Sequence, residues 1–247
     1  MNIESIKKLC HELRRLFGIH QNAERRAAEA LAENLHPLET LRLILEDETL
    51  FRKDRTAKML ATKAQFRSSA SLQDWDSNFD RGISKAKLKE LAQLGFFQSK
   101  ENLILIGPTG TGKTHLAISL GRRLCQEGMR TQFFSMNLFF EEVLAEKLAG
   151  KYLSFIRKLN RTPVLIWDDF GLRNYTHEEA NLLIDIVEER YLKGSIIITS
   201  QVDPKGWSKL FEDPVIVEAL LNRLLHPSKQ IVLTGGSYRE QLNKKPN

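Results

Sequence analysis

The sequence predicts a three-layer αβα domain built on a five-stranded parallel sheet and preceded by a small all-α N-terminal domain. Three observations predict this. From Ile3 to about residue 66, apolar residues recur at helical spacing (Ile3, Ile6, Leu9, Leu13 and Leu16, then Leu31, Leu35, Leu38, Leu41 and Leu45), with Arg, Lys and Glu between them. Beyond residue 80 the pattern changes to short apolar runs separated by amphipathic stretches, the signature of parallel strands joined by crossover helices. Between the two, RSSASLQ at 67–73 and DWDSNF at 74–79 are small, polar and turn-forming. The expected division is a helical domain at 1–68, a linker at 69–80 and an α/β domain at 81–247.

In the first segment the spacing gives three or four short helices. Gly18 suits a helix end, Asn34 and His36 mark a break, and Pro37 suits the first turn of the next helix. In the second, strands are expected at 102–106, 131–136, 164–167, 195–199 and 230–233, with helices at 114–127, 138–159, 177–192 and 214–225. Thr176 with Glu179 makes a capping box, and Asp213 places a cap before Pro214. The stripe Leu138, Phe139, Val143 and Leu144 reads as a helix face buried on the sheet.

Composition excludes several classes. The 247 residues include only two cysteines, Cys10 and Cys125, with no Cys/His cluster at ligand spacing, which argues against a disulfide scaffold and a structural zinc site. Neither a leader-like N-terminus nor a membrane-length apolar run is present, so a cytoplasmic protein with no membrane partner is expected. The 37 Lys+Arg against 31 Asp+Glu give a net charge of +6, which permits a polyanionic partner without identifying one.

The run Gly107-Pro108-Thr109-Gly110-Thr111-Gly112-Lys113-Thr114 matches GxxxxGK[ST] and sits between an expected strand and an expected helix. Such a loop turns backbone N–H groups inward around phosphates at a helix N-terminus, with Lys113 reaching the β- and γ-phosphates and Thr114 placed to ligate magnesium. A second apolar strand ends in Asp168-Asp169. The first carboxylate suits magnesium, and the second suits general-base work on the attacking water, with a turn cap ahead of Phe170-Gly171 as its alternative. ATP and Mg2+ are the expected cofactors.

Taken together, GPTGTGKTHLA, LIWDDFG, SIIITSQ, DPVIVEALLNRLLH and GGSYR resemble the AAA+ ATPases of the IstB-like group, the ATP-binding helpers of insertion-sequence transposition, related to DnaC and DnaA. The resemblance spans the chain and implies an AAA+ P-loop core without a C-terminal lid. It places a polar sensor at Thr199 or Gln201, where the group reads TSN, and an arginine finger at Arg223, preceded by Asn222 where the group carries Asp. Arg190 is a weaker candidate for a second intersubunit contact. Many proteins of this class carry glutamate where Asp169 stands; the shorter aspartate implies that water placement depends on a compensating backbone shift.

Arg52, Lys53, Arg55, Lys58, Lys63 and Arg67 form a basic stretch, read either as a solvated helix face or as a DNA phosphate contact, the reading the resemblance favours. His115, Trp75, Trp167 and Trp207 read as packing residues. The resemblance implies an ATPase that assembles as a ring or spiral homo-oligomer on duplex DNA and recruits a transposase, with a DnaC-like helicase loader as its close rival. A small-molecule kinase and a module that holds ATP without turnover are the readings from other classes.

Overall fold

The computed structural model describes residues 3–12, 16–238 and 240–241; Leu13 of the periodic set and Arg239 of the GGSYR run lie outside them. The chain forms two compact units, residues 1–59 with 126–128, and residues 60–125 with 129–247. This boundary lies ahead of the expected 69–80 linker. The reason is packing: Ala70 and Trp75 are buried in the core of the second unit, with Phe66 and Leu72 against it.

The first unit holds α1 (Ile3–Glu12), α2 (Phe17–Ala32) and most of α3 (Pro37–Lys63), the last far longer than the short helices expected. Asn34, at φ 50°, makes the break, and Pro37 starts α3 as anticipated. Gly18 instead lies in the first turn of α2, where an added Cβ would come within 2.7 Å of the Asp47 carbonyl oxygen, so glycine lets the two helices approach. Leu16 provides no side-chain cap to α2. The buried Glu48 supplies it from α3, its Oε2 accepting from the N–H groups of Gly18 (2.8 Å) and Ile19 (3.2 Å).

Next to it, Asp47 accepts a forked pair from Arg26 Nε (2.7 Å) and Nη2 (2.8 Å). That hydrogen-bonded guanidinium holds the Asp47 carboxyl below the usual carboxylate range. A depressed carboxylate pKa stabilises the fold above its unfolded value of about 3.9, and that contribution disappears as pH falls through the folded value. Acidification from pH 6 to 3 is therefore expected to lower the urea midpoint of a helical transition seen by circular dichroism. All three tryptophans lie in the second unit, so this transition is silent in tryptophan fluorescence. Asp47→Asn is expected to weaken the unit and flatten the pH dependence.

The second unit contains the five-stranded parallel sheet predicted: β1 (Asn102–Ile106), β2 (Thr131–Ser135), β3 (Val164–Phe170), β4 (Ser195–Ser200) and β5 (Ser228–Val232), in the order β2-β3-β4-β1-β5. Strand alternation divides the apolar residues between two cores. Ile104, Leu165, Trp167, Ile196 and Ile198 face one layer, built from α7 (Met136–Leu148), α8 (Tyr152–Arg161), α9 (His177–Arg190) and α10 (Pro214–Leu225). Leu103, Leu105, Val164, Ile166 and Ile197 face the other, with α4 (Lys85–Ala92), α5 (Gly95–Gln98) and α6 (Lys113–Gln126). Helices α4 and α5 have no counterpart in the sequence reading. The capping box at Thr176 and Glu179 and the Asp213 cap before Pro214 are both formed.

Three further expectations are corrected. The single helix expected at 138–159 is two, divided around Gly150, whose φ of 70° suits glycine. Of its apolar stripe, Phe139 and Val143 are buried while Leu138 and Leu144 are 57% and 55% exposed, because only one side of α7 meets the sheet. Arg190 is no surface contact: it is buried and donates to the carbonyls of Leu159, Thr162, Pro163 and Ser195, satisfying chain ends around α8 and β4. Burial lowers its guanidinium to about 10, so it remains charged at neutral pH.

Candidate nucleotide site

The loop 107–114 leaves β1 at its C-terminal end and turns into α6. The turn is built by residue size as much as by glycine freedom. Gly112 adopts φ 97°, and an added Cβ would lie 3.0 Å from an Arg81 guanidinium nitrogen and 3.3 Å from the Trp75 ring. Thr111 Oγ1 donates to the Pro108 carbonyl (2.9 Å), and Lys113 Nζ curls into the loop to donate to the carbonyls of Gly107 (2.7 Å) and Pro108 (2.8 Å). The ammonium is thus held inside the curve of a phosphate-cradling backbone, with Thr109 and Gly110 at the tip.

The acidic pair lies at the same, C-terminal end of the sheet, on β3. Asp168 is fully buried, and its Oδ1 accepts from Thr114 Oγ1 (2.8 Å) and Thr199 Oγ1 (2.7 Å). Thr199 Oγ1 in turn accepts from the Asp169 N–H (3.0 Å), so one hydroxyl orients both aspartates. Burial pushes the Asp168 carboxyl up, against the hydrogen bonds of Thr199 and Thr114, which pull it down; the neighbouring Asp169 charge adds to the rise and Arg67 opposes it. The pairing of β3 with β4 shifts register between Trp167 and Phe170, and Asp169 takes φ 61°, a conformation rare for a residue with a Cβ and unfavourable by about 1 kcal/mol. Gln201 is exposed one residue past the end of β4.

Arg223 is elsewhere. It shares a small cavity with Asn102, Ile196 and Pro227, at the N-terminal ends of β1 and β4, whereas the phosphate loop and the aspartates occupy the C-terminal ends. The Arg223 guanidinium donates to Glu188 Oε1 (2.8 Å) and to the Ala219 carbonyl (3.2 Å), and its side chain is one-third exposed. It therefore cannot reach the phosphate loop of its own chain.

The basic stretch is also divided. Arg52, Lys53, Arg55, Lys58 and Lys63 are exposed on α3, with Arg52 paired to Glu48 (2.8 Å), Lys58 to Asp54 (2.7 Å) and Arg55 set over the Phe17 ring. Arg67 does not continue that stripe. The helix ends at Lys63, Gln65 takes φ 56°, and the Arg67 guanidinium turns to the acidic pair, 3.3 Å from Asp168 Oδ2 and 3.8 Å from Asp169 Oδ2.

Sequence reading missed a cluster over the phosphate loop. The buried Arg81 guanidinium sits 3.5 Å from the Trp75 ring centroid and 4.6 Å from that of Tyr238, donates to the Asp76 carbonyl, and abuts Gly112. Tyr238 N–H donates to the Gly110 carbonyl (3.0 Å), and Trp75 packs near His115. Burial holds the His115 imidazole below its usual value, with the Arg81 charge acting in the same direction, as suits a packing role. The density of Trp, Phe and Arg in 75–81 was the available signal.

The donor set fits a hard, oxygen-preferring cation: one hydroxyl and adjacent carboxylates beside a phosphate cradle, leaving remaining positions to phosphate and water. Among the described residues no cluster of three or more His, Cys, Asp or Glu forms a self-sufficient metal site, and no helix is long and apolar enough to cross a membrane.

Comparison with known proteins bears on the family and the fold. The chain is 34% identical over 217 residues to the insertion-sequence IS21 ATP-binding protein of Pseudomonas aeruginosa, covering 88% of this chain and 82% of that protein. It is 31% identical over 226 residues to an insertion-sequence ATP-binding protein of Mycobacterium tuberculosis, covering 91% and 90%. Among solved structures it is similar in fold to DnaI (22% identity, TM-score 0.57, 68% of this chain and 90% of that one) and to AMPPCP-bound DnaA from Aquifex aeolicus (18%, TM-score 0.58, 73% and 57%). The model of the IstB-like ATP binding protein family matches residues 10–246, and the chain, with its AAA+ P-loop fold, belongs to that ATP-binding family.

Proposed function

We propose that the protein is a DNA-associated ATPase switch for transposition: ATP assembles copies of the chain on duplex DNA, the assembly recruits and stimulates a transposase, and hydrolysis resets it. The observation that carries this reading is the placement of reacting groups at opposite ends of one sheet, the loop and aspartates at one end and Arg223 at the other. One copy then supplies the nucleotide site and the next copy the arginine, so turnover depends on assembly.

In this reading Lys113 leaves the Gly107 and Pro108 carbonyls to meet the β- and γ-phosphates. Thr114 and Asp168 would hold a magnesium ion, which would supply compensation of the phosphate charge. Asp169 accepts the proton of the attacking water as its oxygen bonds to the γ-phosphorus; the bond to the β–γ bridging oxygen breaks, leaving ADP and phosphate. Thr199 holds both aspartates in register for this work, and either Thr199 or Gln201, exposed one residue past β4, is the sensor of the γ-phosphate. The exposed cations of α3 contact DNA phosphates without reading bases.

The test follows ATP hydrolysis and particle size by light scattering in the same samples, with and without duplex DNA, at low and high salt. DNA and ATP together are expected to drive assembly and raise turnover, with salt opposing both. A chain that stays monomeric and turns over ATP regardless of DNA would overturn the reading. Capture of a replicative helicase in place of a transposase would reassign the partner.

A further inference from the structure

Magnesium is not the only cation within reach of the acidic pair. Asp168 Oδ1 already accepts from two hydroxyls, those of Thr114 and Thr199, and Oδ2 is the oxygen that Arg67 approaches at 3.3 Å, with Asp169 Oδ2 at 3.8 Å. The arginine is not a side chain that merely happens to pass. Its segment is docked on the free edge of β2, where Phe133 N–H donates to the Ala64 carbonyl (3.0 Å), and the Phe66 ring meets Phe133 edge-on at 6.5 Å. Phe66 also fills the space beside Gly121, where an added Cβ would lie 2.9 Å from the ring. The guanidinium then crosses the Phe133 ring, 5.5 Å from its centroid, to reach the carboxylates, while 46% of the side chain faces solvent.

A buried carboxylate needs a counter-charge, and two cations cannot share one oxygen without mutual repulsion. We propose that Arg67 is a positioning residue that competes with magnesium for Asp168 and Asp169, so that loading the metal requires the guanidinium to leave the pair. This inference rests on the magnesium reading of Thr114 and Asp168. Arg67 lies four residues beyond the end of α3, the helix that carries the exposed basic stretch. Metal loading and the docking on β2 of the segment that follows that helix are therefore linked through one side chain.

The competition predicts two effects of opposite sign. Without the guanidinium, the metal meets the acidic pair unopposed, so less magnesium is needed. Without the guanidinium and without metal, both carboxylates face the triphosphate unscreened, so metal-free nucleotide binding weakens. The experiment measures equilibrium binding of a fluorescent ATP analogue to the full chain as magnesium is titrated from a chelated start, for wild type, Arg67→Gln, Arg67→Lys and Asp168→Asn. Arg67→Gln is expected to lower the half-saturating magnesium concentration about fivefold and to weaken metal-free binding by a similar factor, the order of a partly exposed ion pair. Arg67→Lys, which keeps the charge, is expected to stay near wild type in both, and tryptophan fluorescence checks that each variant is folded.

If Arg67→Gln weakens binding by the same factor with and without magnesium, or Arg67→Lys behaves as Arg67→Gln does, Arg67 is a strut and the competition is wrong. If wild type and Asp168→Asn both bind the analogue independently of magnesium, the metal reading itself fails and the competition falls with it.

Discussion

Arg223→Ala is expected to keep nucleotide binding and to lose about three orders of magnitude in turnover, the lower end of what an arginine finger contributes. The expectation follows from distance and charge. Among the described residues the cations nearest the phosphate loop are already engaged: Lys113 donates to the loop carbonyls, the buried Arg81 lies against Trp75 and Tyr238 and donates to the Asp76 carbonyl, and Arg67 faces the acidic pair. In the proposed reading the developing charge on the γ-phosphoryl oxygens is met by a cation from the next chain. Arg223 is suited to be lent. Its ion pair with Glu188 is with a residue more than half exposed, and exposed pairs contribute only about 0–1 kcal/mol, so exchanging Glu188 for a phosphate costs little. Its second bond, to the Ala219 carbonyl one turn back, steadies the side chain on α10. Binding of a fluorescent ATP analogue, measured beside phosphate release, separates this effect from a folding defect.

Asp169→Asn is expected to bind ATP, to assemble on DNA, and to lose about two to four orders of magnitude in hydrolysis, the range of a positioned general base. Asparagine preserves the shape and the backbone N–H that donates to Thr199, but its amide cannot take a proton from water. The variant should accumulate long-lived ATP-bound assemblies, visible as a slowed decline in light scattering after ATP is chased. A turn-capping role for Asp169 predicts the reverse, since asparagine caps turns as well as aspartate does and is at least as tolerant of the positive φ seen there. Unchanged hydrolysis in this variant would therefore assign Asp169 to the turn.

Much of this is legible in the sequence. The phosphate loop, the strand that feeds it and the aspartates ending another strand are local patterns, and each lies where its pattern predicts because loop chemistry and strand periodicity are read over a few residues. What stayed hidden depends on groups distant in sequence. Arg67 looked like the end of a helical charge stripe because Lys63 precedes it by four residues; only the end of α3 and the positive φ at Gln65 turn it toward Asp168, a hundred and one residues away. Arg190 read as a surface arginine next to a tyrosine, yet it holds four carbonyls from α8, its following loop and β4. Gly18 suited a helix end by type and instead answers a close approach by α3. Leu138 and Leu144 share helical spacing with Phe139 and Val143, and periodicity alone does not say how wide a face the sheet covers.

The central claim, that one chain's aspartates work with the next chain's arginine, is tested most directly by mixing two inactive variants. Arg223→Ala keeps an intact phosphate loop and lacks the arginine; Lys113→Ala keeps the arginine and lacks the loop lysine. Combined in equal amounts with ATP and duplex DNA, they are expected to recover turnover well above either alone, because an intact loop meets an intact arginine at a share of the mixed interfaces. If the mixture forms assemblies of wild-type size and its turnover is only the average of the two variants, Arg223 does not act across an interface, and the account of a shared site is wrong.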